Sequence, residues 1–110
     1  MDNDPVAEDL LFEVSTHLEF KVHVTRAHWE MIVTIKHPVM LGHESDVKET
    51  IVNPDEIRVS RSDPAVYLFY KLQRAGRWFC AVIKRTNGDG FLITTYPADS
   101  IKEGEHIWHK

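Results

Sequence analysis

The tetrapeptide Asn87-Gly88-Asp89-Gly90 constrains this chain more than any other stretch of it. Asn-Gly accepts positive φ at two consecutive positions, and the turn that needs this has a twist matching two antiparallel strands. The flanking segments agree. Trp78 to Arg85 before the turn and Phe91 to Tyr96 after it are rich in β-branched and aromatic residues. The run therefore predicts a hairpin joining the last two strands. Gly76 marks a further turn, before which Val66 to Gln73 reads as an aromatic-rich strand. Upstream again, Ile57 and Val59 alternate with Arg58 and Ser60 as a strand of their own.

The front of the chain alternates too. Asp9 to Thr16 and Glu19 to Thr25 read as two strands, with Phe20, Val22 and Val24 on one face and a turn near His17. Thr25 has the chemistry of an N-cap for a helix running toward His37. Ile32, Ile35 and Val39 keep helical spacing, and Pro38 ends or kinks the element. Ser45 reads as the cap of a second, short helix with Val47 and Ile51 on its apolar side, stopped by Asn53-Pro54. Residues 1–8 read as a disordered N-terminus, and 9–110 as one α+β domain. The expected order is β-β-α-α-β-β-β-β, with the helices packed on one face of an antiparallel meander.

The chain has 110 residues, of which 43% are hydrophobic and 27% charged, enough for one core without disulfides or metals. The single Cys80 lies in the apolar run 78–83 and reads as a buried thiol. One unpaired cysteine without a secretion signal predicts a cytoplasmic protein. No apolar stretch approaches the roughly 20 residues of a helical membrane span.

Net charge is −4 with histidines neutral, but the charge is unevenly spread. Residues 1–56 carry four basic and twelve acidic side chains, a balance of −8; residues 57–86 carry seven basic and one acidic, a balance of +6; residues 87–110 add two basic and four acidic, a balance of −2. A basic block inside an acidic chain is a candidate footprint for a polyanion. It is also what strand edges carry as protection against aggregation. The footprint reading makes a geometric demand: Arg58, Lys71 and Lys84 should share one exposed concave surface.

Seven histidines are many for this length. As metal ligands they lack a motif: His43-Glu44 is followed by Val47 where a His-Glu-x-x-His helix needs its second histidine, and no Cys pair is present. No metal site is expected. As acid/base groups they suit chemistry near neutral pH. His28 falls in the first turn of the expected helix on its sheet-facing side, and His37 at the far end. On the last expected strand Leu92, Thr94 and Tyr96 share a face, offering two hydroxyls, and Lys84 shares parity with Trp78, Cys80 and Val82. RNA can be cut by its own 2′-hydroxyl if a base takes that proton, an acid protonates the leaving oxygen and cations stabilise the phosphorane. Histidine, lysine or arginine, and hydroxyl side chains suffice for this, without a cofactor. The competing readings for the same residues are a boundary histidine, good strand formers and a snorkelling lysine.

Five segments together resemble a phage- and mobile-element-associated family of the barnase–EndoU–colicin–RelE-like nuclease fold. They are His28, Trp29, Ile32, His37 and Pro38; Thr50 to Ser60; Tyr67 to Leu72; Phe91 to Pro97; and Ile101 to Gly104. The resemblance spans His28 to Trp108 and implies a RelE/barnase-like sheet and a metal-independent endoribonuclease of the kind found as toxins. It implies a catalytic set of His28, Lys84, Thr94 and Tyr96, with Arg58 and Lys71 binding substrate; Arg61 and His37 complete the expected substrate-binding set. Free RNA such as tRNA would be the substrate, and an antitoxin or immunity protein a partner. The alternative on the same fold is a catalytically inactive RNA- or protein-binding module.

Overall fold

The computed structural model describes residues 9–110, so the expectation of disorder over 1–8 lies outside the described residues. Strands β1 (Leu10–Ser15) and β2 (Lys21–Thr25) form the front hairpin. Its turn lacks glycine but is closed by Thr16, whose backbone N–H donates to Phe20 O at 2.9 Å and whose hydroxyl accepts from Leu18 N at 3.0 Å. Glu19 takes the left-handed conformation there, φ 67°. Helix α1 (Arg26–Met31) follows directly, capped by Thr25 Oγ1 accepting from His28 N at 3.1 Å, as its chemistry predicted.

From Ile32 to Lys36 the helix widens into a π turn, its end marked by His37 N donating to Ile32 O. The wide turn breaks the expected helical spacing. Ile32 and Val33 are buried, while Ile35 is 74% and Val39 57% exposed, because the extra residue rotates them out of the apolar stripe. Pro38–Met40 forms a 3₁₀ turn. Helix α2 (Glu44–Val52) begins after His43 rather than Ser45; the His43 side chain makes no capping bond to the backbone, and its Nδ1 lies 2.9 Å from Asp46 Oδ2. Val47 and Ile51 are fully buried, as expected, and the helix ends at Asn53.

Strands β3 (Glu56–Val59), β4 (Val66–Arg74), β5 (Arg77–Thr86) and β6 (Asp89–Ala98) are an antiparallel meander. Asn87 and Gly88 take φ of 50° and 87°, forming the expected tight turn between β5 and β6. A seventh strand, β7 (Glu105–His109), was not in the expected order; it pairs antiparallel with β3. The full order is β1-β2-β6-β5-β4-β3-β7. All neighbours are antiparallel except β2 and β6, which pair in parallel over only Val22–Gly90 and His23–Phe91. Over the described residues the fold is α+β, a mostly antiparallel seven-stranded sheet with two α-helices.

The main core lies on the helix side of the sheet, where Ile32, Met40, Val47 and Ile51 meet Ile57, Phe69, Phe79, Ala81, Ile83 and Leu92. The sheet curls round this face until its two ends touch. His17, in the front turn, stacks on Trp108 of β7 with ring centroids 4.7 Å apart. Phe20 lies against Gly90, where a Cβ would stand 2.7 Å from its ring, and carries the Arg85 guanidinium 4.8 Å above its centroid. A smaller cluster, Leu68, Tyr70 and Cys80 with Trp78, Val82, Tyr96, Ala98 and Ile101, occupies the outer face. Segment 99–104 covers it and is held to β3 at Gly104.

Gly104 takes φ 79°, and a Cβ there would lie 2.5 Å from the carbonyl oxygen of Val59. A backbone atom in a paired strand cannot move aside as a side chain can. Gly104→Ala is therefore expected to destabilise the domain, with the conformational cost alone about 1–3 kcal/mol. Urea denaturation measures this, and a change below about 0.5 kcal/mol would contradict the packing described.

Candidate functional site

The open face of the sheet, opposite the helices, carries a cleft of about 470 Å³. Its floor is Val66, Leu68, Val82 and Tyr96; one wall is Ser60, Arg61 and Ser62, and the other is Lys102, Glu103 and Gly104. Local geometry explains each wall. Ser60 to Ala65 is a tight connection between β3 and β4, in which Asp63 Oδ1 accepts from Ala65 N at 2.9 Å and Ser60 Oγ bonds Ser62 Oγ at 3.1 Å. The opposite wall follows from the close docking of Gly104 on Val59. Arg61, Lys102 and Glu103, the charged residues of the two walls, are all exposed.

Beside the floor, in the outer-face cluster, Cys80 is flanked in register by Tyr70 and Tyr96. Burial pushes its thiol up to about 12 against the weaker, opposite pull of the two phenols. Burial likewise raises both phenols well above the ordinary tyrosine range. Tyr96 thus turns its hydroxyl toward Cys80 and offers its ring to the cleft.

The eight residues singled out in the sequence do not form one constellation. Arg58, Lys84, Thr94 and Tyr96 lie on the open face by the register of β3 to β6, and Arg61 lines the cleft there from the β3–β4 connection. Lys71 is opposite Phe79 and so on the helix side, where its Nζ donates to Asn53 O at 2.8 Å. Arg58 is engaged by Glu56 at 2.6 Å and by the Gly104 carbonyl at 3.3 Å. Lys84 is 3.4 Å from Asp63, whose carboxyl is held below its usual range by the Ala65 N–H first and Lys84 second. The demand that Arg58, Lys71 and Lys84 share a concave surface is not met. The concave side of the curl holds the core, and of the three cations Arg58 and Lys84 are paired with carboxylates while Lys71 is on the wrong face.

A bulge at Ile93 also alters the last strand. Val82 opposes Thr94 but Ile83 opposes Leu92, so Leu92 turns into the main core instead of sharing a face with Thr94. Thr94 does share the open face with Tyr96, though its hydroxyl is buried without a partner. Thr95 faces the core and donates to Cys80 O at 2.7 Å.

The two helix histidines both reach β6. β2 leaves that strand after two residues, and the helical segment 26–40 takes its place. His28 Nε2 donates to Ile93 O at 3.2 Å, which fixes a structural tautomer on the bulge. His37 lies on Tyr96, ring centroids 5.6 Å apart and 42° inclined. His37, not His28, therefore borders the cleft through Tyr96. Lys102 and Glu103 were not singled out from sequence. They entered there only as part of the segment Ile101 to Gly104, whose glycine takes the positive φ that turns the chain back over the sheet.

The chain matches no protein-family model, no curated protein and no solved structure. No helix of the described residues is long and apolar enough to cross a membrane.

The Cys80 thiol is fully buried and far from its thiolate form at neutral pH. It is expected to resist a thiol-specific disulfide reagent at pH 8 in the native state and to react fully in denaturant. Rapid labelling of native protein would show that the outer-face cluster opens.

Proposed function

We propose that this domain is a metal-independent endoribonuclease of RelE/barnase-like architecture, with its site in the open-face cleft. The observation that carries the reading is the contact of His37 with Tyr96 at the border of a cleft walled by Arg61, Lys102 and Glu103. That set contains what transesterification of RNA needs. A base accepts the 2′-hydroxyl proton, the 2′ oxygen attacks phosphorus, and the bond to the 5′ oxygen breaks as an acid returns a proton to it. His37 and Glu103 are the proton-transfer groups, and Arg61 and Lys102 stabilise the added charge on the phosphoryl oxygens. Tyr96 positions His37. His28 drops to a structural role, because its Nε2 is spent on Ile93. Dependence on the 2′-hydroxyl restricts the reaction to RNA. The meander β3 to β6 behind two helices supports the same architecture. Free RNA as substrate, and a protein inhibitor seated over the cleft, belong to this reading.

A second reading, binding of RNA without cleavage, is favoured by the sparse charge of the cleft: Arg58 and Lys84 are neutralised by Glu56 and Asp63. One experiment separates the two. Purified protein is incubated with total RNA in excess EDTA, and products are examined for 2′,3′-cyclic phosphate ends. Cleavage is expected, and His37→Ala should slow it about 10²-fold or more while His28→Ala, if folded, retains it. RNA that is bound but intact selects the binding reading. Cleavage unchanged in His37→Ala overturns the assignment of the site.

A further inference from the structure

A regular strand sends residues i and i+3 to opposite faces. β7 does not. Ile57 of β3 opposes Trp108, while the next residue, Arg58, opposes His106, so Ile107 is an extra residue in the ladder. This bulge brings His106 and His109 onto one face. Nδ1 of His109 lies 3.0 Å from Nε2 of His106, and the ring centroids are 5.0 Å apart. Trp108, between them, turns the other way into the main core and stacks on His17, so the strand that presents the pair is anchored from behind. Both histidines are exposed.

We propose that His106 and His109 are a two-imidazole clamp for a late first-row divalent cation: copper, nickel or zinc. Two nitrogens each about 2.0–2.1 Å from a metal, subtending a right to tetrahedral angle there, stand about 2.9–3.4 Å apart. The observed 3.0 Å falls within that span. Binding replaces the N–H···N hydrogen bond between the rings. His106 ligates through Nε2 and keeps its proton on Nδ1; His109 ligates through Nδ1 and keeps its proton on Nε2. Imidazole is the ligand these metals favour, whereas magnesium and calcium select oxygen. Among the described residues no third histidine, cysteine or carboxylate completes a cluster, so water fills the remaining positions. The neighbouring Arg58 guanidinium is compensated by Glu56 at 2.6 Å, which lessens its repulsion of a cation at the clamp. The spacing His-x-x-His on a strand reads as a mismatch from sequence alone, because only the bulge puts the two side chains together.

Calorimetric titration of the tag-free protein with copper, nickel, zinc and magnesium chlorides tests this. One metal per chain is expected, tightest for copper, with no heat from magnesium. Loss of one arm of a chelate should weaken binding on the order of 10²-fold in His106→Ala and in His109→Ala alike. Failure of nickel and copper to bind, or binding by either variant as tight as by the unsubstituted protein, overturns the clamp. A measurement on the unmodified chain guards against a misfolded variant. Paramagnetic copper should broaden amide signals of β7 and the facing part of β3 first, and broadening centred elsewhere would refute the assignment. Neither readout involves RNA, so this outcome is independent of the nuclease assignment.

Discussion

The joint between β2 and β6 decides the rest of the molecule. It is parallel and two residues long, and Gly90 makes it possible: a side chain at that position would strike the ring of Phe20. Because the ring lies there, the front hairpin can cross over the helix side of the sheet and carry His17 to Trp108. Because β2 then leaves, the rest of the β6 edge needs another cover. An uncovered strand edge invites pairing with a second chain. The helical segment supplies the cover, and His28 serves it by satisfying Ile93 O. The same geometry sets His37 against Tyr96. Closure of the sheet, protection of an edge and placement of the candidate acid/base group are thus three results of one short joint.

What could be read from the sequence was what depends on near neighbours. The Asn87-Gly88 turn, the Thr25 cap, the strand alternation and the burial of Val47, Ile51 and Cys80 are all local consequences of residue type. What escaped was what depends on a single inserted residue or on distant pairing. The π turn at 32–36 moves Ile35 and Val39 out of the core. The bulge at Ile93 splits Leu92 from Thr94, and the bulge at Ile107 joins His106 to His109. Each shifts the phase of a repeat by one residue, and periodicity cannot locate such a shift from inside the segment. β7 escaped because its apolar content is small: Ile107 is exposed and Trp108 is the only residue of the strand in the core cluster.

The charge division had a different fate. The +6 block is real in sequence, but folding distributes it around the sheet. Lys71 goes to a helix carbonyl, Arg85 to an aromatic face, and Arg58 and Lys84 to carboxylates. Linear clustering of cations on strands separates them, since alternate residues face opposite ways. Glu56, just before the block, and Asp63, the one acidic residue within it, neutralise Arg58 and Lys84 on the open face. Arg61 and Lys102 reach the open face from a loop and a returning segment, where no alternation constrains them.

The π turn carries a consequence for how this chain tolerates change. A π turn holds one residue more than the α-helix that would replace it. Removing a single residue between Ile32 and Lys36 would let the helix close in ordinary register and would improve its hydrogen bonding. The wide turn absorbs that residue, so the chain beyond it would keep nearly the same direction without it. Closing the turn into an α-helix with every residue kept would instead rotate all that follows by about 100° about the axis, taking His37 from Tyr96 and Met40 from the core. Loss of one residue here should therefore be tolerated better than gain of one.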